Sequence, residues 1–369
     1  MTINRRQFIL GASQAALAAW FLPACTTQKP AQWLVSACND QQGQTMAAAF
    51  NSQGDIVSCV KLPARGHDAL ALPKKPGHGL VFCRRPDRFA VEIDFINGKI
   101  TNNIQSQTDS HFYGHGVLSK DGQYLYTTEN LYKKKRGLIV VRDAHNYQVL
   151  DRFDSGGVGP HELALMPDGN TLVIANGGIE THPNQPRKKL NLGDMQPNLA
   201  YLDIASGKVL SSYAPPDNQL SIRHLTVSPN GAVYAGAQYQ GKKSTIEPLV
   251  FAHHGEDNLQ AFSASQTQWY KMRQYTASLL VKDDLLYVSC PRGSHLSFWD
   301  TTTREFVGQQ AFSDVSGLAY SNGNVLASSG KGLLQKLSHA SHTIPITGPA
   351  SINSLALKFD NHMTMIAAG

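Results

Sequence analysis

Four histidines recur at equivalent places along the chain, and their type and spacing are suited to metal chemistry. Each histidine precedes a short apolar run, a turn rich in proline, glycine, asparagine or aspartate, and a second apolar run. Neutral imidazole is the commonest metal ligand in proteins, and several imidazoles together suit iron, copper or zinc. The repeat therefore predicts a transition-metal site formed by His67, His115, His161 and His224.

Arginines and other polar residues in the same repeats indicate a second chemistry. Guanidinium groups bind carboxylates and phosphates through paired hydrogen bonds, which suits a small anionic ligand or chelator. The predicted ligand-binding residues are Arg85, Glu129, Asn176, His182, Asn191, Arg223 and Arg292. A third interpretation is structural, with the four repeated histidines tying neighbouring repeats together through hydrogen bonds. A further group of histidines is interpreted as ordinary turn residues, namely His78, His145, His253, His254, His339, His342 and His362.

The repeat that carries the four histidines predicts short strands. It is clearest over residues 159–175, where His161 begins an apolar run, a Pro-Asp-Gly turn follows, and a second apolar run ends the unit. The histidines are about 46 to 63 residues apart, in the range of repeats built from four strands. No long amphipathic helix is indicated. Two further copies, near Ser278 and Gly317, keep the pattern without a histidine.

The two ends of the chain predict how the repeats close. Three apolar runs precede the first histidine and two follow the last copy, so each group is incomplete as a sheet. Pairing the groups closes a ring and hides strand edges that would otherwise be exposed. We therefore predict an all-β fold, a single seven-bladed β-propeller over residues 32–369, in which the N-terminal strands pair with the C-terminal strands.

The predicted topology places the polar residues near the histidines. In a propeller, the innermost strand of each blade begins on the face where the loops between second and third strands emerge. The longest of these loops are predicted over residues 176–198, 240–248 and 129–136. We therefore expect the four histidines and the ligand-binding residues to meet at one mouth of the central channel.

The N-terminal residues 1–25 are interpreted as an export signal. Arg5-Arg6 followed by Phe8 resembles the twin-arginine motif, and an uncharged apolar stretch runs to Leu22. The stretch is shorter than the roughly 20 residues that a spanning helix needs. The sequence before Cys25 resembles a lipobox, so Cys25 is a candidate for lipidation. These features predict a periplasmic protein with a linker over residues 26–31, held at a membrane only through a lipid on Cys25.

Composition excludes several functional classes. The formal net charge of +6 loses two charges with the signal, and no basic module with stacking aromatics is present, so nucleic-acid binding is not expected. The chain has no phosphate-binding glycine loop, haem-attachment motif or nucleophile signature. A monomer is expected. Four other cysteines match no zinc or redox spacing and are either disulfide-bonded or small buried residues: Cys38, Cys59, Cys83 and Cys290.

The chain contains several longer strings that can be compared with known families: Ala64-Arg65-Gly66-His67, Arg84-Arg85-Pro86, His111-Phe112-Tyr113-Gly114-His115-Gly116, Tyr126-Thr127-Thr128-Glu129-Asn130, Gly159-Pro160-His161-Glu162-Leu163, Ala175-Asn176-Gly177-Gly178-Ile179-Glu180-Thr181-His182-Pro183, Lys189-Leu190-Asn191 and Ser221-Ile222-Arg223-His224-Leu225. These strings resemble one family of exported proteins, those that carry the domain of unknown function 1513. The resemblance covers most of residues 60–330. It implies a YVTN/WD40-like periplasmic propeller, commonly encoded beside imelysin-type iron-regulated proteins and di-haem oxidoreductase-like proteins, but no activity.

Three functional classes follow from the residues and the resemblance together. The first is a binding propeller that handles a metal ion or metal complex, with periplasmic iron-uptake proteins as partners. The second is an enzyme of the lyase, lactonase or oxidoreductase type, with a histidine base and a metal as Lewis acid. The third is an interaction scaffold with structural histidines. Because no nucleophile signature is present, a binding function is favoured over an enzyme.

Overall fold

Short apolar runs bounded by turns fold into strands throughout the chain. The computed structural model describes residues 31–83, 87–185, 188–338, 350–354 and 356–369. A typical turn lies at Asp168-Gly169, where the Asp168 carboxylate accepts hydrogen bonds from the backbone amides of Asn170 and Thr171. Gly169 has a φ of +74°, which glycine adopts readily. Turns of this kind fix where each strand ends, so consecutive strands pair antiparallel.

The strands form seven sheets, here called blades 1 to 7. Blade 1 contains β1 (Gln32–Asp40), β2 (Thr45–Phe50) and β3 (Ile56–Lys61). Blade 2 contains β4 (Gly66–Ala71), β5 (His78–Cys83), β6 (Phe89–Asp94) and β7 (Lys99–Gln105). Blade 3 contains β8 (Ser110–Leu118), β9 (Tyr124–Leu131), β10 (Arg136–Asp143) and β11 (Val149–Asp154). Blade 4 contains β12 (Pro160–Leu165), β13 (Thr171–Asn176), β14 (Asn198–Asp203) and β15 (Val209–Tyr213).

The second half of the chain continues the same order. Blade 5 contains β16 (Leu220–Val227), β17 (Val233–Tyr239), β18 (Val250–His253) and β19 (Gln260–Ala261). Blade 6 contains β20 (Leu279–Lys282), β21 (Leu285–Cys290), β22 (His295–Asp300) and β23 (Phe306–Ala311). Blade 7 contains β24 (Val315–Ser321), β25 (Asn324–Ser329), β26 (Leu333–Ser338) and β27 (Ala350–Ser354). The last strands, β28 (Leu357–Phe359) and β29 (Thr364–Ala367), return to blade 1.

The ring closes as the sequence predicts, because the C-terminal strands complete the N-terminal sheet. Both β28 and β29 pair antiparallel with β1, through Phe359 opposite Cys38 and Met365 opposite Leu34. Together they form one innermost strand that is interrupted over residues 360–363. Contacts between successive innermost strands run around the whole ring, from β29 to β4 and back to β29 through β24. The prediction of a seven-bladed, all-β propeller is therefore confirmed.

Apolar layers between neighbouring blades stabilise the ring. The largest layer joins blades 4 to 6, and includes Trp299, which is fully buried. A short helix, α1 (Gln266–Lys271), covers this layer and packs Trp269 against Trp299, with ring centroids 4.9 Å apart. Burying a large apolar side chain contributes about 1.5–3 kcal/mol. Blade-to-blade packing therefore stabilises the ring.

Three features of the fold bear directly on the sequence predictions. Glu129 lies inside β9 and not in the following loop, because that loop is only a tight 3₁₀ turn over Tyr132–Lys134. The described cysteines form no disulfide with one another, and all of them except Cys59 are buried. Residues Gln32–Gly369 form one compact unit, and no helix among the described residues is long and apolar enough to cross a membrane.

Some of the sequence predictions fall outside the described residues. They are those for the export signal with Cys25, and for Arg85, His339 and His342.

Candidate metal centre

The innermost strands carry irregularities where the histidines lie. A β-bulge leaves one residue out of the strand pairing and redirects its side chain, and bulges are frequent beside functional sites. The interruption of blade 1 between β28 and β29 has the same effect, since residues 361–363 leave the pairing with β1 after the amide of Asp360 has bonded to Ala37. The register shifts in the other histidine-bearing blades lie between Gly66 and Ala69, Phe112 and Gly116, Pro160 and Glu162, and Ile222 and His224.

Five imidazole rings meet at the axis of the propeller. The four histidines predicted from the repeat are joined by His362, and all five are buried. His115 and His362 have ring centroids 4.6 Å apart, as do His161 and His224, while His67 lies 5.0 Å from His115 and 4.8 Å from His362. The interpretation of His362 as an ordinary turn residue is therefore wrong, because the bend that carries it faces the channel.

The five rings, here called the histidine cluster, contain two sets of three that could each hold one metal ion. One set is His67, His115 and His161, and the other is His115, His224 and His362. Within each set the candidate ligand nitrogens lie within 4.8 Å of one another. His115 belongs to both sets, so it is the central ring of the cluster.

Carboxylates from adjacent blades orient three of the imidazoles. Nδ1 of His67 lies 2.9 Å from an oxygen of Asp360. Nδ1 of His115 lies 3.0 Å from Asp68. Nδ1 of His224 lies 3.1 Å from Glu162. In each case the acid comes from the preceding blade of the ring, so the pairs also link blade 1 to 2, blade 2 to 3 and blade 4 to 5.

These pairs determine which nitrogen of each ring can bind a metal. When the paired carboxylate is ionised it can only accept a hydrogen bond, so Nδ1 of His67, His115 or His224 then donates and the lone pair is on Nε2. A metal-binding histidine usually donates its other nitrogen to a carboxylate or carbonyl in this way, which increases its basicity as a ligand. The cluster thus has the outer hydrogen bonds of a metal site.

The other two histidines have nitrogens suited to ligation. Nδ1 of His161 and Nε2 of His362 are buried and have no hydrogen-bond partner among the described residues. Burial lowers the pKa of His161 well below its ordinary value, and the charges of His224 and Arg223 lower it further. Burial, with the charge of His115, does the same to the pKa of His362. Both rings are therefore neutral near pH 7, the form that binds a metal.

Polar and aromatic side chains line the approach to the cluster. Arg223 is buried and close enough for its charge to act on His161. Tyr113 lies with its ring 6.1 Å from His161 and stacks on His111 at 5.6 Å. Tyr132 also stacks on His111, and the partly exposed His182 meets the Tyr132 ring edge-on. Of the residues predicted to bind a ligand, Arg223 is beside the cluster, and His182 is at the outer end of this row of rings.

Three predicted ligand-binding residues have their side chains engaged in the propeller itself. Both carboxylate oxygens of Glu129 are occupied, one by buried Arg142 and the other by Ser110. The amide of Asn176 is buried and bonded to Ser155 and Asn198. Asn191 holds the long loop of blade 4 together through the backbone at residues 178 and 180. These hydrogen bonds position loops around the mouth.

Arg292 lies apart from the cluster. It belongs to the 3₁₀ turn Pro291–Gly293 between β21 and β22, as expected for a mouth loop. Its guanidinium group lies 4.2 Å from the centroid of the Tyr275 ring. This arrangement fixes the guanidinium at the junction of blades 5 and 6 and not at the channel.

The sequence analysis did not predict the carboxylates that pair with the histidines, although the sequence contains a pattern for two of them. Asp68 follows His67 directly, and Glu162 follows His161, so acids adjoin two histidines of the repeat. Because of the bulges, each acid reaches the histidine of the next blade and not its own neighbour. Asp360 precedes His362 by two residues in the same interrupted strand. A His-acid pair at the start of an innermost strand is the pattern that could have indicated them.

Comparisons with known proteins identify the fold and the family of this chain. No curated protein matches the chain. Hydrazine synthase from Kuenenia stuttgartiensis has a similar structure, with a TM-score of 0.61 and 14% sequence identity over 78% of this chain and 88% of that chain. At that identity the similarity shows the fold alone. Residues 60–366 match a protein family described as "Protein of unknown function (DUF1513)". The chain therefore belongs to the DUF1513 family.

Proposed function

We propose that this propeller binds one divalent first-row transition-metal ion in the histidine cluster. The observation that carries the proposal is that five buried imidazoles form two overlapping sets of metal-spaced nitrogens that share His115. Burying neutral polar nitrogens without partners is unfavourable. A bound cation would satisfy the nitrogens of His161 and His362, which have no hydrogen-bond partner among the described residues.

The donor set favours borderline metal ions. Imidazole suits iron, copper, nickel and zinc, whereas magnesium and calcium prefer oxygen ligands. The three carboxylates of Asp68, Glu162 and Asp360 lie behind the ligand rings. Their negative charge favours a cation in the cluster, although burial raises the pKa of Glu162 against the opposing influence of His115. Copper would bind most tightly at equal concentrations, so the metal held in the cell depends on supply.

We further propose that the protein handles this metal, or a complex of it, outside the cytoplasm without transforming a substrate. The N-terminal twin-arginine motif supports export, and the family resemblance supports a role in iron uptake. A binding role is also consistent with a fully buried ligand set, since substrate would have little room beside five closely spaced rings. Iron is the metal that this part of the proposal expects.

The test is elemental analysis by mass spectrometry of the untagged protein purified from the compartment to which it is exported. The paired variant is His161→Ala/His362→Ala, which removes one ligand from each set. The matched control is His145→Ala/His254→Ala, which removes two exposed histidines far from the cluster. We expect close to one iron, copper or zinc per chain in the wild type and the control, and none in the cluster variant.

The competing interpretation makes the histidines ties between blades. It is supported by the fact that the three histidine–carboxylate pairs each join two blades. It predicts no metal in any of the three proteins, even after incubation with iron(II), copper(II) or zinc(II) and removal of unbound ions, together with a lower melting temperature for the cluster variant. That result would overturn the proposal.

A further inference from the structure

The junction between blades 5 and 6 departs from the rest of the ring. Residues 262–278 separate β19 from β20, whereas only residues 214–219 separate β15 from β16 at the preceding junction. The added segment contains helix α1, whose first turn is closed by reciprocal hydrogen bonds between Ser265 and Gln268. It forms one side of a cavity of about 580 Å³. The propeller itself does not require this insertion.

The cavity is lined by an excess of positive charge over an apolar wall. Its cations are Lys243, Arg273 and Arg292, and its single carboxylate is Glu247. None of these four side chains forms an ion pair with the described part of the chain. The lining also includes Leu249 and Trp269, both buried, and the exposed Tyr270, so it combines charge with an apolar surface.

Specific contacts hold the rim of the cavity in place. The side-chain amide of Gln274 donates to the backbone oxygens of Lys242 at 2.8 Å and Thr245 at 2.9 Å. These bonds join the end of the inserted segment to the loop between β17 and β18. Arg292 is held over the ring of Tyr275. Both sides of the cavity are therefore fixed without a ligand, which lowers the entropic loss on binding.

The backbone at the rim is held in an unfavourable conformation. Arg273 and Gln274 are consecutive non-glycine residues with φ of +52° and +58°. Ser294, which follows the turn that carries Arg292, has φ of +53°. Such residues persist where the surrounding structure imposes them, and they cluster at ligand-binding sites. Arg273 and Gln274 line the cavity, and Ser294 holds the end of the turn that brings Arg292 to it.

We propose that this cavity binds a small organic oxyanion that carries at least two carboxylate or phosphate groups and a planar or apolar part. Arginines bind both kinds of group through paired hydrogen bonds. The apolar residues of the lining would contact the planar or apolar part, so the proposed ligand is larger than inorganic phosphate. The volume lies within the range of small-molecule sites. This site is separate from the histidine cluster and does not depend on a metal being bound there.

The test is titration calorimetry on the full exported chain after removal of metal with a chelator. The probes are benzene-1,3,5-tricarboxylate, benzene-1,3-diphosphonate and the uncharged 1,3,5-tris(hydroxymethyl)benzene. The cavity variant is Arg273→Gln/Arg292→Gln. The control, Arg152→Gln/Lys208→Gln, removes the same charge from two exposed positions. Arg152 lies on the outer strand β11, and Lys208 lies in the turn before β15. All three proteins are checked for equal melting temperature.

We expect saturable one-to-one binding of an anionic probe by the wild type and no binding of the uncharged one. The cavity variant should bind about tenfold more weakly or worse, and the control should differ from the wild type by less than about twofold. Tighter binding of the phosphonate would assign a phosphate ligand, and tighter binding of the tricarboxylate a carboxylate ligand. No saturable binding of either anion, or equal weakening in both variants, would overturn the proposal.

Discussion

His115 has a position unlike that of any other residue in the cluster. It is the ring common to both candidate ligand sets, and its Nδ1 is held at 3.0 Å by Asp68, with Glu162 4.0 Å away. Removing a ligand from a metal site reduces affinity most where no other group can replace it. His161 and His362 each belong to one set only, so their loss leaves the other set of three intact.

Single substitutions should therefore rank in a definite order. We expect His115→Ala to abolish tight metal binding, because neither ligand set survives it. His161→Ala and His362→Ala should each weaken binding by about 10- to 100-fold, the range seen when support of a metal ligand is lost. Competition with a chromophoric chelator would measure the three affinities. Equal affinities for all three variants would contradict a shared central ligand.

Gly114 controls the position of a ligand without being one. Its φ is +112°, and a Cβ added there would lie 2.5 Å from Cδ2 of His67 and 3.2 Å from its Cβ. A methyl group at this position would displace the His67 ring, which is buried on all sides. Gly122 also has a positive φ, +66°, but an added Cβ would meet only the end of the Lys74 side chain, at 3.4 Å.

This pair of glycines separates backbone strain from ligand displacement. We expect both Gly114→Ala and Gly122→Ala to lose about 1–2 kcal/mol of stability through backbone strain, since both put alanine in the left-handed region. Gly114→Ala should lose more, because its methyl group also displaces the buried His67 ring. Only Gly114→Ala should also lower metal affinity, by about tenfold or more. Urea unfolding and chelator competition on the same samples would measure both effects. Unchanged metal affinity in Gly114→Ala would show that His67 is not a ligand.

At the scale of single residues, the repeat predicted only part of the site. His67, His115, His161 and His224 share a sequence pattern, so their meeting at the axis followed from the topology. His362 lies in an interrupted strand whose sequence lacks the pattern. The inward orientation of Glu129 and Asn176 depends on the buried donors Arg142 and Ser155, which come from other positions in the chain. No local pattern in the sequence contains that information.

At the scale of elements, polar contacts between blades complement the apolar layers. The side chain of Glu92, on β6 of blade 2, is almost fully buried. It accepts hydrogen bonds from Lys75 at 2.9 Å and His78 at 3.1 Å in its own blade, and from the Tyr147 hydroxyl of blade 3 at 2.6 Å. Burial raises the pKa of Glu92, but the bonds from Tyr147, Lys75 and Asn102 outweigh it and lower the pKa.

The lowered pKa of Glu92 makes its contribution to stability depend on pH. The unfolded chain has the ordinary value of 4.5, so the stabilisation is complete above that pH and is lost as the pH falls towards the folded pKa. We expect Glu92→Gln to lower the free energy of unfolding by about 1–3 kcal/mol at neutral pH. The difference from wild type should shrink in acid.

The matched control for Glu92→Gln is Glu305→Gln, an exposed carboxylate near the end of blade 6. Urea unfolding of the three proteins at about pH 7 and about pH 4 would give the comparison. The control should follow the wild type at both pH values. If Glu92→Gln lost the same free energy of unfolding at both pH values, the substitution would have removed packing contacts and not the effect of the carboxylate charge.

The bulges are the elements that the sequence did not reveal. Strand positions and turns followed from apolar runs and Gly, Asn and Asp residues, because those residues set local backbone conformation. A bulge arises where one strand has more residues than the strand paired with it, and the sequence of one strand alone does not show this. The orientation of each histidine depends on its bulge, so the axial geometry could be expected only in outline.

For the whole molecule, ring closure joins the fold to the site. The segment that contains β28 and β29 both completes blade 1 and supplies Asp360 and His362. The closure was predictable because incomplete groups of strands stand at both ends of the sequence. The sequence did not predict that the closing segment also completes the histidine cluster, because His362 lies outside the repeat.

Dividing the chain at this segment should separate folding from metal binding. A protein ending at residue 356 exposes the edge of β1, so we expect it to aggregate or melt non-cooperatively. A synthetic peptide of residues 357–369 should restore cooperative melting by pairing with that edge. The same peptide with His362→Ala should restore melting equally but give weaker metal binding, measured by calorimetry. Failure of both peptides to restore the fold would contradict the closure described here.

The central claim is that one metal ion sits among the five histidines at the axis. The most direct test is X-ray diffraction from crystals grown with iron(II), copper(II) or zinc(II), with data collected above and below the absorption edge of that metal. We predict a single strong anomalous peak about 2.1 Å from the nitrogens of at least three of the five rings, including His115. Data with clear anomalous signal from sulfur but no metal peak at the cluster would contradict the account.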